Sequence, residues 1–199
     1  FDPYGLAISP DGSTAFVTDF GGTTTRKIDL ASMQLSGTSY TTGTQPHEVV
    51  VAAGGAFAFT TNGVMPDPNK VFRINLQTGV VEPTIGLPGG FHFPSAITTN
   101  TTGDVVYVAT NSATYAIDAA TNTASLFDLA SGQMVISPDD RFMYRVTGST
   151  GVSKVDLSSR AVVATFAVTN ADKLALSPSG KVLLVSVSGS AQVFKIDTA

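Results

Sequence analysis

One pattern recurs five times along this chain, and it constrains the fold more than any other feature. Each copy holds a short apolar run, a tight turn, an aromatic-rich run, a loop, and a third run ending in Asp or Asn. The first reads Gly5-Leu6-Ala7-Ile8, then Ser9-Pro10-Asp11-Gly12, Ala15-Phe16-Val17-Thr18 and Arg26-Lys27-Ile28-Asp29-Leu30. Its turn has a mechanism: Pro10 presets φ at the first central position and Gly12 relieves the last. The turns of the later copies are Ala52-Ala53-Gly54-Gly55, Asn100-Thr101-Thr102-Gly103, Ser137-Pro138-Asp139-Asp140 and Ser177-Pro178-Ser179-Gly180. One position in successive copies is Phe16, Phe59, Tyr107, Tyr144 and Leu184, at spacings of 43, 48, 37 and 40 residues.

Four short strands per roughly 40–45 residues is the pattern of an all-β propeller. No helical stretch of about 10–15 residues interrupts the copies, which excludes alternating strands and helices. A β-sandwich would also have short strands but gives no reason for a repeated turn. The expectation is a single β-propeller domain over residues 1–199, with about five four-stranded blades near 3–45, 46–93, 94–132, 133–171 and 172–199.

Phe16-Val17-Thr18-Asp19, Tyr107-Val108-Ala109-Thr110-Asn111 and Tyr144-Arg145-Val146-Thr147 resemble the Tyr-Val-Thr-Asn (YVTN) propeller repeats, as does the Ser-Pro-Asp-Gly turn before that strand. The resemblance spans nearly the whole chain. It implies a propeller and a kinship with archaeal surface-layer proteins, lactonase-like propellers and the haem-binding propeller of dissimilatory nitrite reductase. The chain has no Trp, so WD40 and Trp-docking motifs are not supported.

Fourth strands are expected at Gln34-Leu35-Ser36-Gly37, Val80-Val81-Glu82-Pro83, Ala124-Ser125-Leu126-Phe127 and Val162-Val163-Ala164-Thr165. The fifth copy has none, so the last blade is incomplete, and a bare three-stranded edge invites pairing. Three readings stay open: five blades with one short blade, part of a larger propeller, or completion of the last blade by another segment or chain.

Tight, repeated turns read as scaffold, and long irregular loops as functional candidates. Two loops are long: Asn62 to Lys70 and Thr84 to Phe93, both on one face beside the second and third blades. The two histidines, His47 and His92, fall in segments leading into blades on that face. His47 sits in Gln45-Pro46-His47-Glu48, which resembles segments of YVTN and lactonase-like chains. Tyr4, Asp19, Glu48, Asp172 and Lys173 hold comparable rim positions. The expected ligand-binding set is Tyr4, His47, Glu48, Asp67, Asn69, Phe91 and His92. Asp67 and Asn69 offer oxygens to a cation but lack the alternating spacing of a calcium loop. No catalytic residue, metal site or cofactor is assigned, because two histidines without a third ligand at motif spacing fall short of a metal site. The Asn100-Thr101-Thr102 sequon lies in a turn.

Charged residues make up only 13% of the chain and the net charge is −4, so Thr, Ser, Asn and Gly carry its hydration. Without a cationic cluster, neither nucleic acid nor an anionic membrane surface is an expected partner. No apolar run approaches the roughly 18–20 residues of a membrane span. Cysteine is absent, which excludes disulfides and thiolate chemistry. The chain starts on Phe1 with no signal peptide, which reads as a processed or excerpted chain. Low charge with abundant Thr, Ser and Gly fits an exported, cell-surface or periplasmic protein. Two function classes follow. The first is a non-catalytic binding or assembly module that takes a protein, peptide or small molecule on the long-loop face. The second, implied by the resemblance, is a lactonase-like or haem-binding propeller using the His47 and His92 rim.

Overall fold

The computed structural model describes residues 1–62, 69–148 and 150–198. It is an all-β arrangement of five propeller blades, each a separate antiparallel sheet. The first sheet is β1 (Pro3–Ile8), β2 (Thr14–Asp19), β3 (Thr24–Asp29) and β4 (Gln34–Thr41). The second is β5 (Pro46–Val51), β6 (Phe57–Asn62), β7 (Lys70–Asn75) and β8 (Val80–Val81), with β9 (Ile85–Gly86) also paired to β7. The third holds β10 (Ala96–Thr99), β11 (Val105–Ala109), β12 (Thr114–Asp118) and β13 (Thr123–Asp128). The fourth holds β14 (Met134–Ile136), β15 (Phe142–Val146), β16 (Val152–Asp156) and β17 (Val162–Phe166). The fifth has three described strands, β18 (Ala171–Leu176), β19 (Val182–Val187) and β20 (Val193–Asp197).

The repeat survives at atomic detail. In each blade the turn between the first two strands closes by one backbone bond, from Gly12 to Ser9, Gly55 to Ala52, Gly103 to Asn100, Asp140 to Ser137 and Gly180 to Ser177. The donor residue of each turn has φ between 55° and 76°, the left-handed region where glycine carries no Cβ penalty. The fourth copy places Asp140 there, one of the few side chains that tolerate it. In the third copy the side-chain oxygen of Asn100 accepts from Gly103 and Val105, so the sequon asparagine holds its own turn.

Register is equally regular. Phe16, Phe59, Tyr107, Tyr144 and Leu184 pair inward with Ala7, Val50, Thr98, Val135 and Ala175. Outward they pair with Lys27, Arg73, Ala116, Lys154 and Lys195. Alternation along the strands gives each blade two apolar faces, so the core lies between blades. Phe16, Tyr40, Val49, Val51, Ala58 and Ile74 fill the gap between blades one and two. Phe59 and Val71 meet Val106, Val108, Tyr115 and Ile117 in the next gap. Tyr107 and Phe127 meet Met134, Met143 and Val155, and Tyr144 and Val152 meet Leu183 and Val185.

One expectation needs correcting. The stretch from Thr84 to Phe93 is not an irregular loop throughout. Val80–Val81 stops at Glu82-Pro83, and the chain re-forms the sheet at Ile85–Gly86. Ile85 and Leu87 are buried against blade three. Proline has no N–H for a ladder, so Pro83 interrupts the fourth strand and the apolar residues beyond it resume the pairing. No helix among the described residues is long and apolar enough to cross a membrane.

Candidate functional site

The inner strands of three blades begin with a register shift, between Pro3 and Leu6, Pro46 and Val49, and Ala171 and Leu174. Such irregularities re-aim side chains and cluster at functional rims. Here they carry Tyr4, His47-Glu48 and Asp172-Lys173. Because Pro46 pairs with Asn62, this end of the sheets is also the end at which β6 stops.

Glu48 and Lys173 occupy the same position in blades two and five, as Gln133 does in blade four. Their side chains converge: Lys173 Nζ donates to Glu48 Oε1 at 2.9 Å, and Gln133 Nε2 lies 3.4 Å from the same oxygen. The ammonium also sits 5.9 Å from the Tyr4 ring. Tyr4 stacks on His47 with centroids 4.0 Å apart, and Phe20 flanks both rings at 5.4 and 5.8 Å. Gly5 makes this approach possible, since a Cβ there would lie 2.5 Å from the His47 carbonyl oxygen. Thr18 Oγ1 donates to that same carbonyl at 2.6 Å and accepts from the Gly5 N–H, locking β1 to β5.

His47 Nδ1 lies 3.1 Å from the Ser95 carbonyl, which can only accept, so Nδ1 carries the proton. Burial pushes the His47 pKa below its ordinary value, Lys173 adds to that, and Glu48 opposes it. The imidazole is therefore neutral at neutral pH, flat and stackable.

His92 belongs to a different environment. It is buried, with Nε2 at 2.7 Å from the Tyr115 hydroxyl and 3.2 Å from the Pro88 carbonyl, and Nδ1 at 3.3 Å from Ser112 Oγ. Both ring nitrogens are engaged, and His47 and His92 share no partner. Burial also raises the Tyr115 pKa. Asn69 pins the same loop: its Nδ2 donates to Gly90 O at 2.6 Å, its Oδ1 accepts from the His92 N–H, and its own N–H donates to His92 O at 3.0 Å. Phe91, between these anchors, is 71% exposed. Asp67 lies outside the described residues. Asp19 accepts from the Asp2 N–H at 2.9 Å and faces Arg26 at 3.7 Å, which fastens the N-terminal segment.

The structure thus gathers Tyr4, His47 and Glu48 at one end of the inner strands and places Asn69, Phe91 and His92 in a separate cluster held by the 88–93 segment. Sequence reasoning missed Phe20 and Gln133. Gln133 could have been found by aligning the inner strands on Val50, Val135 and Ala175, which puts Glu48, Gln133 and Lys173 two residues earlier in each; Phe20 follows Asp19, the end of the YVTN-like stretch, and has no signal of its own. A haem or metal centre on the two histidines does not fit, because His92 offers no open nitrogen. Among the described residues no group of three His, Asp or Glu side chains comes together.

No family model matches the chain, and no curated protein matches it. Among solved structures it is similar to Kuenenia stuttgartiensis hydrazine synthase, with 22% identity and a TM-score of 0.82. The match covers 100% of this chain and 63% of that one. At that identity the likeness speaks for the propeller fold alone.

Proposed function

We propose that this chain is a non-catalytic binding module whose ligand seats at the mouth formed by Tyr4, Phe20, His47, Glu48 and Lys173. The observation that carries the reading is the ion pair between Glu48 and Lys173, three blades apart in sequence, set beside a three-ring aromatic wall. An aromatic face next to a partly exposed charge pair suits a small molecule or peptide with a flat or apolar part and a charged group. A ligand carboxylate would replace Glu48 on Lys173, and a ligand ammonium would replace Lys173 on Glu48. His47 would contribute a neutral stacking face rather than a proton relay. The low charge and the YVTN-like strands support an exported or surface-displayed setting.

The test is ligand-observed NMR with aromatic carboxylates, aromatic amines and short peptides on the chain and on Tyr4→Ala and Lys173→Ala. Compounds that bind the parent and lose binding in both variants support the mouth. Hits indifferent to both variants, or turnover of a lactone panel that His47→Ala abolishes, overturn it.

A further inference from the structure

Blade-on-blade packing in this chain follows a rule, and the two ends break it in complementary ways. At the inner strand, Val49 and Val51 of blade two are 6% and 8% exposed beneath blade one. Their counterparts in blade one, Leu6 and Ile8, are 60% and 54% exposed. On the opposite face, Phe16, Phe59, Tyr107 and Tyr144 are all buried by the following blade, whereas Leu184 of blade five is 43% exposed.

The turns repeat this break. A Cβ on Gly55 would come within 3.8 Å of Pro10, one on Gly103 within 2.4 Å of Ala53 N, and one on Gly180 within 3.0 Å of Pro138. Asp140, at that position in blade four, accepts from the Thr101 N–H at 2.8 Å. Each turn tucks against the turn before it, but Gly12 has nothing within 4 Å. Cations tie the outer faces in the same direction: Arg73 donates to Asn122 of the next blade, and Lys154 to the Thr198 carbonyl at 3.1 Å. Lys195, the matching residue of blade five, is exposed on the open face beside Leu184.

We propose that the Leu6–Ile8 face and the Leu184–Lys195 face are blade-mating surfaces, covered by at least one further blade of the same repeat that belongs to the same protein and closes the ring. Continuity with the four blade interfaces already present argues for a blade as occupant, since each open face carries the residues that such a blade covers elsewhere. Direct closure of blade five onto blade one is not what the turns do, because it would bring a neighbour against Gly12. A second copy is disfavoured by the axis. Ten blades would need a ring too wide for Glu48 and Lys173, three blades apart, to touch as they do. The match leaves 37% of the similar solved chain uncovered.

This chain has no cysteine, so each introduced thiol is the one reactive site in its own peptide and is read by peptide mapping of the labelled protein. Leu6→Cys and Leu184→Cys are made in the intact protein expressed from its own gene, with Leu129→Cys as exposed reference and Val49→Cys as covered reference, and maleimide labelling is timed. The expected result is labelling about a hundredfold slower than at position 129 and close to position 49, as when reaction waits for local opening. Hydroxyl-radical footprinting of the unsubstituted protein gives the same reading at Leu6, Ile8 and Leu184 if a variant misfolds. Labelling as fast as at position 129 overturns the proposal. Protection that disappears on dilution also overturns it, because a second copy or separate chain is then the cover.

Discussion

Arg145 Nη1 on β15 lies 2.8 Å from each carboxylate oxygen of Asp128 at the end of β13, joining blades three and four. The guanidinium side chain is only 3% exposed, and its Nε is buried without a partner, so the carboxylate is what balances the charge. Removing one member of such a pair strands the other. Asp128→Ala should therefore destabilise by about 3 kcal/mol, while Arg145→Met, which replaces the cation with an apolar stem, should cost about 1 kcal/mol. Urea unfolding of both variants measures this. Equal losses would mean that the pair acts through packing rather than charge.

Gly103 and Gly12 share a turn position and nearly the same φ, 76° and 70°, but not the same surroundings. A Cβ at Gly103 would collide with the backbone N of Ala53 at 2.4 Å, and one at Gly12 would meet nothing. Gly12→Ala should thus cost only the left-handed penalty, about 1–2 kcal/mol. Gly103→Ala adds a backbone collision between blades and should cost roughly 2 kcal/mol more, in the range of overpacking. Thermal melts of the two variants separate turn conformation from blade approach.

The blades were legible because the side-chain period of a strand and the residue demands of a tight turn are local. Phe16, Phe59, Tyr107, Tyr144 and Leu184 fall in one register, and the turn glycines have the positive φ that their positions implied. The second blade's outer edge was less legible, because Pro83 splits one strand into two short pairings. The mouth was legible residue by residue but not as contacts. Glu48 and Lys173 meet over 125 positions of sequence, a distance set by how blades fan about an axis. His92 looked like a rim residue because a lone histidine in a long loop carries no mark of burial; the Tyr115 hydroxyl that holds it comes from the next blade.

Acid should act on this protein through two sets of groups with one sign. Asp11 is held at a pKa of about 2 by the hydroxyls and N–H of Ser9 and Ser13, and Asp156 at about 2 by Ser158 and Ser159. A depressed folded pKa means that the unfolded chain binds protons first. The stabilisation is complete above about pH 4 and fades between about pH 4 and 2. His47 works the same way at higher pH, since its folded pKa lies below its ordinary 6.5, so its share is full at neutral pH and declines on acidification below that value. NMR should find Asp11 and Asp156 midpoints near 2, and His47→Gln should flatten the melting temperature between pH 7 and 5. A His47 midpoint above 6.5 would reverse the sign.

Asn69 should govern the 88–93 segment. Its φ of 63° is one that asparagine tolerates better than most side chains, and its amide bridges Gly90 and His92 from both ends. Asn69→Ala keeps the backbone penalty and loses both bonds, leaving the His92 N–H without its acceptor. That should cost about 1–3 kcal/mol and speed amide exchange from Gly89 to Phe93. Asn69→Gly relieves φ while losing the same bonds, so it should exchange as fast in the loop yet be less destabilised overall. His92→Phe keeps the ring's volume but removes its polar contacts to Tyr115 and Ser112. If Asn69 is the pin, the loop in that variant stays protected; if exchange rises there as much as in Asn69→Ala, the histidine ring is the anchor and the asparagine only follows it.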